Sequence, residues 1–273
     1  MLTTMKVACN TITIVSLCCV VLLFVFVREG SIQQKCYIPD LTSTDQYKQY
    51  LFNLQAKCDN WAQLGGWLGA PDDGKKLMCL DERFRVQAGR CVVLSFGVNN
   101  EWSFEDDAER LGCKVFAFDP TMGQEDHQRS ASISFFRLGI SDVEGEKPVG
   151  MNRNPVDFDF RQPFPVDRYE NIVRRLGLAD RVIDYVKMDV ELSELDVLRD
   201  LLDTSPRLLR NINQLAIEVH HDLRHGNFGP TSTVRKFWPL FHRLRCLGFS
   251  IISSRDQFLW QEVVWARDAA ALP

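Results

Sequence analysis

In this 273-residue chain the side chains with chemistry to offer collect where apolar runs stop. "CVVLSF" ends at Gly97, "KVFAFD" at Asp119 and "ISFFRLGI" just before Asp142. "VIDYVKMDV" carries Asp189, with Glu191 beside it, and "QLAIEVH" leads through Glu218 to Asp222. A glycine after the first run lets the backbone approach a ligand, and the helix start behind it directs N–H groups there. Asp119 follows 22 residues after Gly97, where a dinucleotide fold places the carboxylate that accepts ribose hydroxyls. Each feature alone has a plainer explanation. GxGxxG is absent, a lone glycine commonly marks a strand-to-helix turn, and an acid after a strand commonly caps it or faces water. The joint occurrence favours a cofactor site: a glycine, then Asp119, then Asp142, then Lys187-x-Asp189-x-Glu191 close successive runs.

Bringing these ends together requires a sheet. From Arg90 onward strand-length apolar runs alternate with helical patterns, continuing through "FSIIS" and "FLWQEVVWAR". The segment "SFEDDAERLG" reads as a helix capped by Ser103 and closed by Gly112. "SELDVLRDLLD" reads as another, and "TSTVRKFWPLFHRLRCLG" as a third that Pro239 kinks or breaks. Runs of β-branched and aromatic residues separated by helices imply a parallel sheet covered on both faces. Such sheets bind ligands at the carboxyl ends of their strands, where the acids lie.

Composition narrows the classes. With 45% hydrophobic and 25% charged residues the chain suits one large domain plus an appendage. The net charge of −4 is spread without a basic run, which disfavours nucleic acid as a partner. The appendage is "VACNTITIVSLCCVVLLFVFV", residues 7–27, uncharged and long enough to span hydrocarbon. With no small-x-small site behind it, it reads as an uncleaved signal-anchor. A six-residue tail (residues 1–6) is expected to stay cytoplasmic, sending the remainder to a secretory-pathway lumen or the exterior as a single-pass membrane protein. Residues 28–80 read as a stem and a Cys/Trp-containing cap, and 81–273 as the main domain. An oxidising lumen permits disulfides, and Cys58 with Cys79 is the pair expected, whereas Cys91 and Cys113 read as buried thiols at strand starts. There is no CxxC, no Cys/His spacing of zinc type and no Asn-x-Ser/Thr sequon, so no structural metal is expected.

"VIDYVKMDVELSELDVL" resembles the fourth-strand signature of FkbM-type S-adenosylmethionine-dependent methyltransferases, with Lys187, Asp189, Val190, Glu191 and Glu194 matching. "LSFGVNNEWSFEDDAERLGCKVFAFDP" is similar to the glycine-to-acid segment of the membrane-anchored methyltransferase-like protein 24 group. With "FRLGISD" and "LAIEVH", the resemblance covers about residues 90–265. It implies a Rossmann-like class I methyltransferase: a mostly parallel seven-stranded sheet, last strand antiparallel, helices on both faces. It also implies S-adenosyl-L-methionine as cofactor, with Gly97 and Asn99 near its methionine portion, Asp119 on the ribose and Asp142 by the adenine. Asp189 and Glu191 would face the methyl and the acceptor. His221, or else His220 or Asp222, would supply the base, histidine being suited because its pKa lies near working pH. Two departures stand out: Ser95 and Glu101 replace an acid and a glycine of the first motif, and Leu192 replaces a glycine after Asp-Val-Glu.

The function expected is methyl transfer to an oxygen or nitrogen of an unknown acceptor, a glycan, lipid, protein or small molecule. No metal is assigned, although Asp189-x-Glu191, joined by His221 or Asp222, permits a divalent cation. Two rivals stand beside it. A lumenal glycosyltransferase would use the Asp157-x-Asp159 of "VDFDF", and a catalytically inactive binding module would explain Ser95 and Glu101.

Overall fold

The computed structural model describes residues 36–66, 74–148, 163–191, 193–221, 232–256 and 260–267. The expected anchor at 7–27, Asp157, Asp159 and Asp222 lie outside them. Among the described residues no helix is long and apolar enough to cross a membrane. The chain divides into Met1–Tyr37 and Ile38–Pro273. Of the first unit only Cys36 and Tyr37 are described, Tyr37 being exposed. The second unit carries the fold below.

Its centre is an eight-stranded sheet. The strands in chain order are β3 (Val92–Phe96), β4 (Lys114–Phe118), β5 (His127–Gln128), β6 (Ile133–Phe136), β10 (Ile183–Met188), β11 (Ile212–His220), β12 (Phe249–Asp256) and β13 (Trp260–Arg267). They lie side by side as β12-β13-β11-β10-β3-β4-β6-β5. From β11 to β6 all neighbours are parallel, while β13 runs antiparallel between β11 and β12, and short β5 runs antiparallel to β6. The expected seven-stranded sheet with an antiparallel final strand is thus present, with β5 as an added edge.

The pleat explains why these segments read as continuous apolar runs. Val92, Leu94 and Phe96 of β3 join a cluster on one face that includes Phe118, Leu198, Phe237 and Phe241. Val93 joins the other face with Phe104, Ala108 and Tyr185. A strand covered on both faces has no solvent side to mark by polar alternation. Helices α1 (Thr44–Phe52), α3 (Tyr169–Arg175), α4 (Glu194–Thr204), α5 (Pro206–Leu209) and α6 (Thr233–Cys246) contribute to the first face, and α2 (Ser103–Arg110) to the second. In α1, within the segment read as stem, Tyr47 and Leu51 are fully buried. Of the kink or break expected at Pro239 the break is absent, α6 continuing through it from its cap at Ser232.

Two smaller sheets flank the large one. β7 (Gly139–Ser141), β8 (Gly145–Pro148) and β9 (Pro163–Arg168) form a three-stranded sheet ordered β7-β9-β8. "ISFFRLGI" is therefore not one strand: it leaves the large sheet after Phe136 and enters the small one at Gly139. A hairpin of β1 (Trp61–Leu64) and β2 (Lys76–Cys79) docks on the second face. The Gln214 amide pairs with both backbone groups of Cys79, at 2.7 and 2.9 Å, and the Tyr185 hydroxyl donates to the Leu77 carbonyl at 2.9 Å. A Cys58–Cys79 disulfide closes this cap, the pair expected of the cysteines that flank the Trp- and Gly-rich segment. Cys91 and Cys113 are joined too, correcting their reading as thiols: β3 and β4 start side by side, leaving their Cα atoms 4.4 Å apart. Cys36 and Cys246 are also disulfide-bonded.

Candidate active site

The chain passes from β3 through α2 to β4 and β6 on one side, then returns to lay β10 and β11 on the other. The strand order reverses between β3 and β10, so a crevice opens beyond their carboxyl ends. At its floor is Gly97, with φ +86°. A Cβ there would lie 1.8 Å from the Asp189 carbonyl oxygen, so only glycine fits the close approach of the two strand ends. Asn99 and Asn100 follow at φ +50° and +58°, a left-handed conformation that asparagine tolerates better than most residues.

Asp119, at the end of β4, holds this turn. Its Oδ2 accepts from the Val98 and Asn99 N–H groups at 2.9 and 2.8 Å, and its Oδ1 from the Thr121 N–H and hydroxyl at 2.8 and 2.6 Å. A carboxylate has about four acceptor positions, and all are taken. Asp119 therefore shapes the loop, and a ribose hydroxyl would have to displace Thr121 to reach it. Glu101 and Ser95, singled out in sequence, also have tasks. Glu101 caps α2, accepting from the Ser103 N–H at 3.0 Å and the Ser103 hydroxyl at 2.9 Å, the role expected of Ser103. Ser95 donates its hydroxyl to Glu105 Oε1 at 2.5 Å. Glu105 is fully buried, and its Oε2 has no hydrogen-bond partner. Burial pushes its carboxyl up, opposed by the charge of Lys187 and the Ser95 hydrogen bond. Lys187 itself, on β10, donates to the Gly97 carbonyl and lies over the Phe104 ring.

Beyond β10 and β11 lies a second, acidic grouping. His220, the last residue of β11, is fully buried: its Nδ1 donates to Glu194 Oε1 at 2.8 Å, while its Nε2 faces Glu218 Oε1 at 3.5 Å and Glu191 Oε2 at 3.6 Å. Glu194, the first residue of α4, also accepts from the Val190 N–H at 3.1 Å. The sheet register sets Glu218 opposite Glu262 of β13, a like-charge pair that would destabilise the strands if left alone. Lys76, delivered by the cap hairpin and 1% exposed, lies between them and donates to both. Burial would lower Lys76, but the charges of Glu262 and Glu218 outweigh it and hold the ammonium well above its ordinary range. Burial and the nearby Glu218 raise Asp189 to about 6, and burial, opposed by Lys76 and reinforced by Glu262, raises Glu218 to about 7. His220 would be lowered by burial, yet its bond to Glu194 and the surrounding carboxylates bring it up to about 9.

Of the residues singled out in sequence, Asp189 and Glu191 reach this grouping, but His221 does not. Adjacent strand-end residues point to opposite sides, so His221 packs against Tyr47, sharing a hydrogen bond of 3.0 Å with its hydroxyl. Burial lowers His221 to about 4, helped by the charges of His220 and Lys48. Asp142 is held at the end of β7, taking hydrogen bonds from Lys147 at 2.8 Å and Ser141 at 3.0 Å, with Lys147 also reaching Asp196. The hydrogen bond from Lys147 lowers the Asp142 pKa. Sequence reasoning missed Lys76, Glu105 and Glu262. Lys76 alternates with the buried Met78, and Glu262 interrupts an apolar strand; both are the mark of an inward-facing charge.

An open α/β sheet with a left-handed glycine turn at its switch point and acids on the neighbouring strand ends is the architecture of a nucleotide-cofactor site. The sequence matches the family model Methyltransf_22, described as a methyltransferase domain, over residues 28–256, and the chain belongs to that family. No curated protein sequence matches it. Among solved structures it is similar to a methyltransferase from Pyrococcus furiosus, at 12% identity and TM-score 0.34 over 67% of this chain and 77% of that one. It is also similar to a 16S rRNA (adenine(1408)-N(1))-methyltransferase from Catenulisporales acidiphilia with cosubstrate SAM, at 13% identity and TM-score 0.35 over 76% and 98%. A third is TrmK of M. capricolum in complex with S-adenosyl-homocysteine, at 9% identity and TM-score 0.34 over 70% and 67%. Likenesses at this level carry no argument about the acceptor of this chain.

Proposed function

We propose that the protein is an S-adenosyl-L-methionine-dependent methyltransferase acting on an oxygen or nitrogen of its acceptor, close to the FkbM type and the methyltransferase-like protein 24 group. The observation that carries this reading is the turn from Gly97 to Asn100, shaped by Asp119 at the switch point between β3 and β10. When bound, S-adenosyl-L-methionine supplies a methyl group on a sulfonium, open to in-line attack. The residues present suit it. Gly97 and Asn99 let the backbone approach the methionine portion, and α2 begins just behind them. Glu105 takes the place of the acid that Ser95 lacks: its unpartnered Oε2 is the acceptor available beside Ser95 for an ammonium group. Asp119 keeps the loop in shape and gives the ribose a carboxylate once Thr121 yields. Asp142, on the neighbouring sheet, is the candidate for the adenine side.

Methyl transfer asks the protein mainly to align two groups and remove a proton. Glu191 suits the second task, its side chain 42% exposed at the mouth of the acidic grouping with one oxygen turned inward. A histidine raised to about 9 is already protonated at neutral pH, so His220 orders the carboxylates and does not take a proton. Membrane anchoring through residues 7–27, with the domain in an oxidising lumen, belongs to the same proposal. It is supported by the apolar run and by the oxidation of all six cysteines beyond it. The spread negative charge again disfavours nucleic acid as the acceptor.

Calorimetric titration of S-adenosyl-L-methionine and S-adenosylhomocysteine into the full chain tests the reading. Saturable binding is expected, weakened roughly tenfold or more in Glu105→Gln through loss of a charged hydrogen bond. A folded wild-type chain that binds neither ligand would overturn it and favour an inactive binding module.

A further inference from the structure

The acidic grouping holds one arrangement that cofactor binding leaves without a task. Asp189, Glu218 and His220 each offer one ligand-type atom, and these atoms all lie within 4.8 Å of one another. What separates this group from a patch of acids is the histidine. Its side chain is fully buried, its Nδ1 is fixed by Glu194 Oε1 at 2.8 Å, and its Nε2 points into the group with no hydrogen-bond partner. A carboxylate on one ring nitrogen is how proteins orient a metal-binding imidazole, and a cation at Nε2 would displace the proton that the surrounding carboxylates otherwise hold there. Glu218 divides its oxygens in a matching way: Oε2 takes the Lys76 ammonium at 3.3 Å, and Oε1 turns toward His220 at 3.5 Å. Lys76 thus holds Glu218 by the oxygen other than the one that faces His220.

We propose that Asp189, Glu218 and His220 bind a divalent first-row cation of the Mn²⁺ type. Metal–ligand bonds of about 2.1 Å place neighbouring donor atoms roughly 3 Å apart and opposite ones roughly 4.2 Å apart, so small side-chain rotations close this group on an ion. One imidazole nitrogen with two carboxylates suits manganese, iron or zinc better than magnesium or calcium, which favour oxygen alone. This set differs from the Asp189-x-Glu191 pair suggested by spacing. The ion is held on the ends of β10 and β11 and braced by Glu194 of α4. Three protein donors leave positions for an acceptor oxygen, whose proton the ion would loosen and whose attacking lone pair it would aim. That last role rests on the methyltransferase reading; cation binding does not.

The test is titration of MnCl₂ into the EDTA-stripped full chain, read as loss of the free Mn²⁺ electron paramagnetic resonance signal. A single saturable site is expected, weakened at least about tenfold by Asp189→Asn and by His220→Gln and unchanged by Glu82→Gln at an exposed position away from the site. Zinc should compete for it. Absence of binding by the folded wild-type chain, which needs no variant to fold, would overturn the proposal, as would undiminished binding in both folded variants. S-adenosylhomocysteine is titrated into the same stripped chain. If that ligand binds and manganese does not, only the cation site falls; if manganese binds and that ligand does not, only the methyltransferase reading falls.

Discussion

At position 97 a single methyl group would meet the Asp189 carbonyl oxygen at 1.8 Å on a backbone already at φ +86°. Neither strand end can retreat without breaking its pairing, because Ser95 and Phe96 are in register with Lys187 and Met188. Gly97→Ala is therefore expected to cost at least about 2 kcal/mol in urea unfolding and to abolish cofactor binding. Wild-type stability would show that the turn is looser than described. Lys76 makes a complementary case. Replacing it by methionine leaves Glu218 and Glu262 facing each other in the core, and breaking a buried charge group in this way costs about 3–5 kcal/mol. Adding Glu262→Gln should restore part of that loss, and two simply additive penalties would contradict the shared ammonium.

At the level of elements, the cap hairpin depends on its cross-link. Cys58 and Cys79 are 21 residues apart, and a loop of that size lends about 3 kcal/mol to the folded state. The Cys58→Ser, Cys79→Ser double variant should lose an amount of that order in denaturant unfolding; an unchanged midpoint would mean that Gln214 and Tyr185 hold the hairpin unaided. The elements legible in sequence were those whose signal is local. β3, β4, β10 and β11 are rich in apolar residues and almost wholly buried, and α2 and α4 carry clear periodicity. What escaped depends on distant pairing. "ISFFRLGI" divides because Gly139 and Ile140 pair with Val166 and Asp167, a contact no local pattern announces. The same limit explains the site. The strand ends named Asp119, Asp189 and Glu191, whereas choosing between His220 and His221 requires knowing which side each faces, and Lys76 reaches the acids only through the docking of a hairpin.

For the molecule as a whole, acid titrates several buried groups in opposite senses. His221, lowered to about 4, resists protonation when folded. Its contribution is complete above the unfolded value of about 6.5 and is lost as pH falls toward 4, by up to about 3 kcal/mol. Asp189 and Glu218, raised to about 6 and 7, act the other way, since the folded state takes up their protons first and is relieved as pH falls. The His221 contribution is therefore read as a difference: the stability of wild type over His221→Gln should shrink between pH 7 and pH 4, and a pH-independent difference would refute the buried, neutral imidazole.

The hairpin that carries Lys76 has a consequence for the order in which the protein matures. The large sheet can form from β3 onward with Glu218 and Glu262 already opposed, but the ammonium that reconciles them arrives on a segment secured by Cys58 and Cys79. A chain still in its reduced form would hold that segment less firmly and leave the acids without their counter-charge. Completion of the acidic grouping thus depends on that cross-link, and reducing the folded protein is expected to loosen the hairpin and withdraw the Lys76 counter-charge from Glu218 and Glu262.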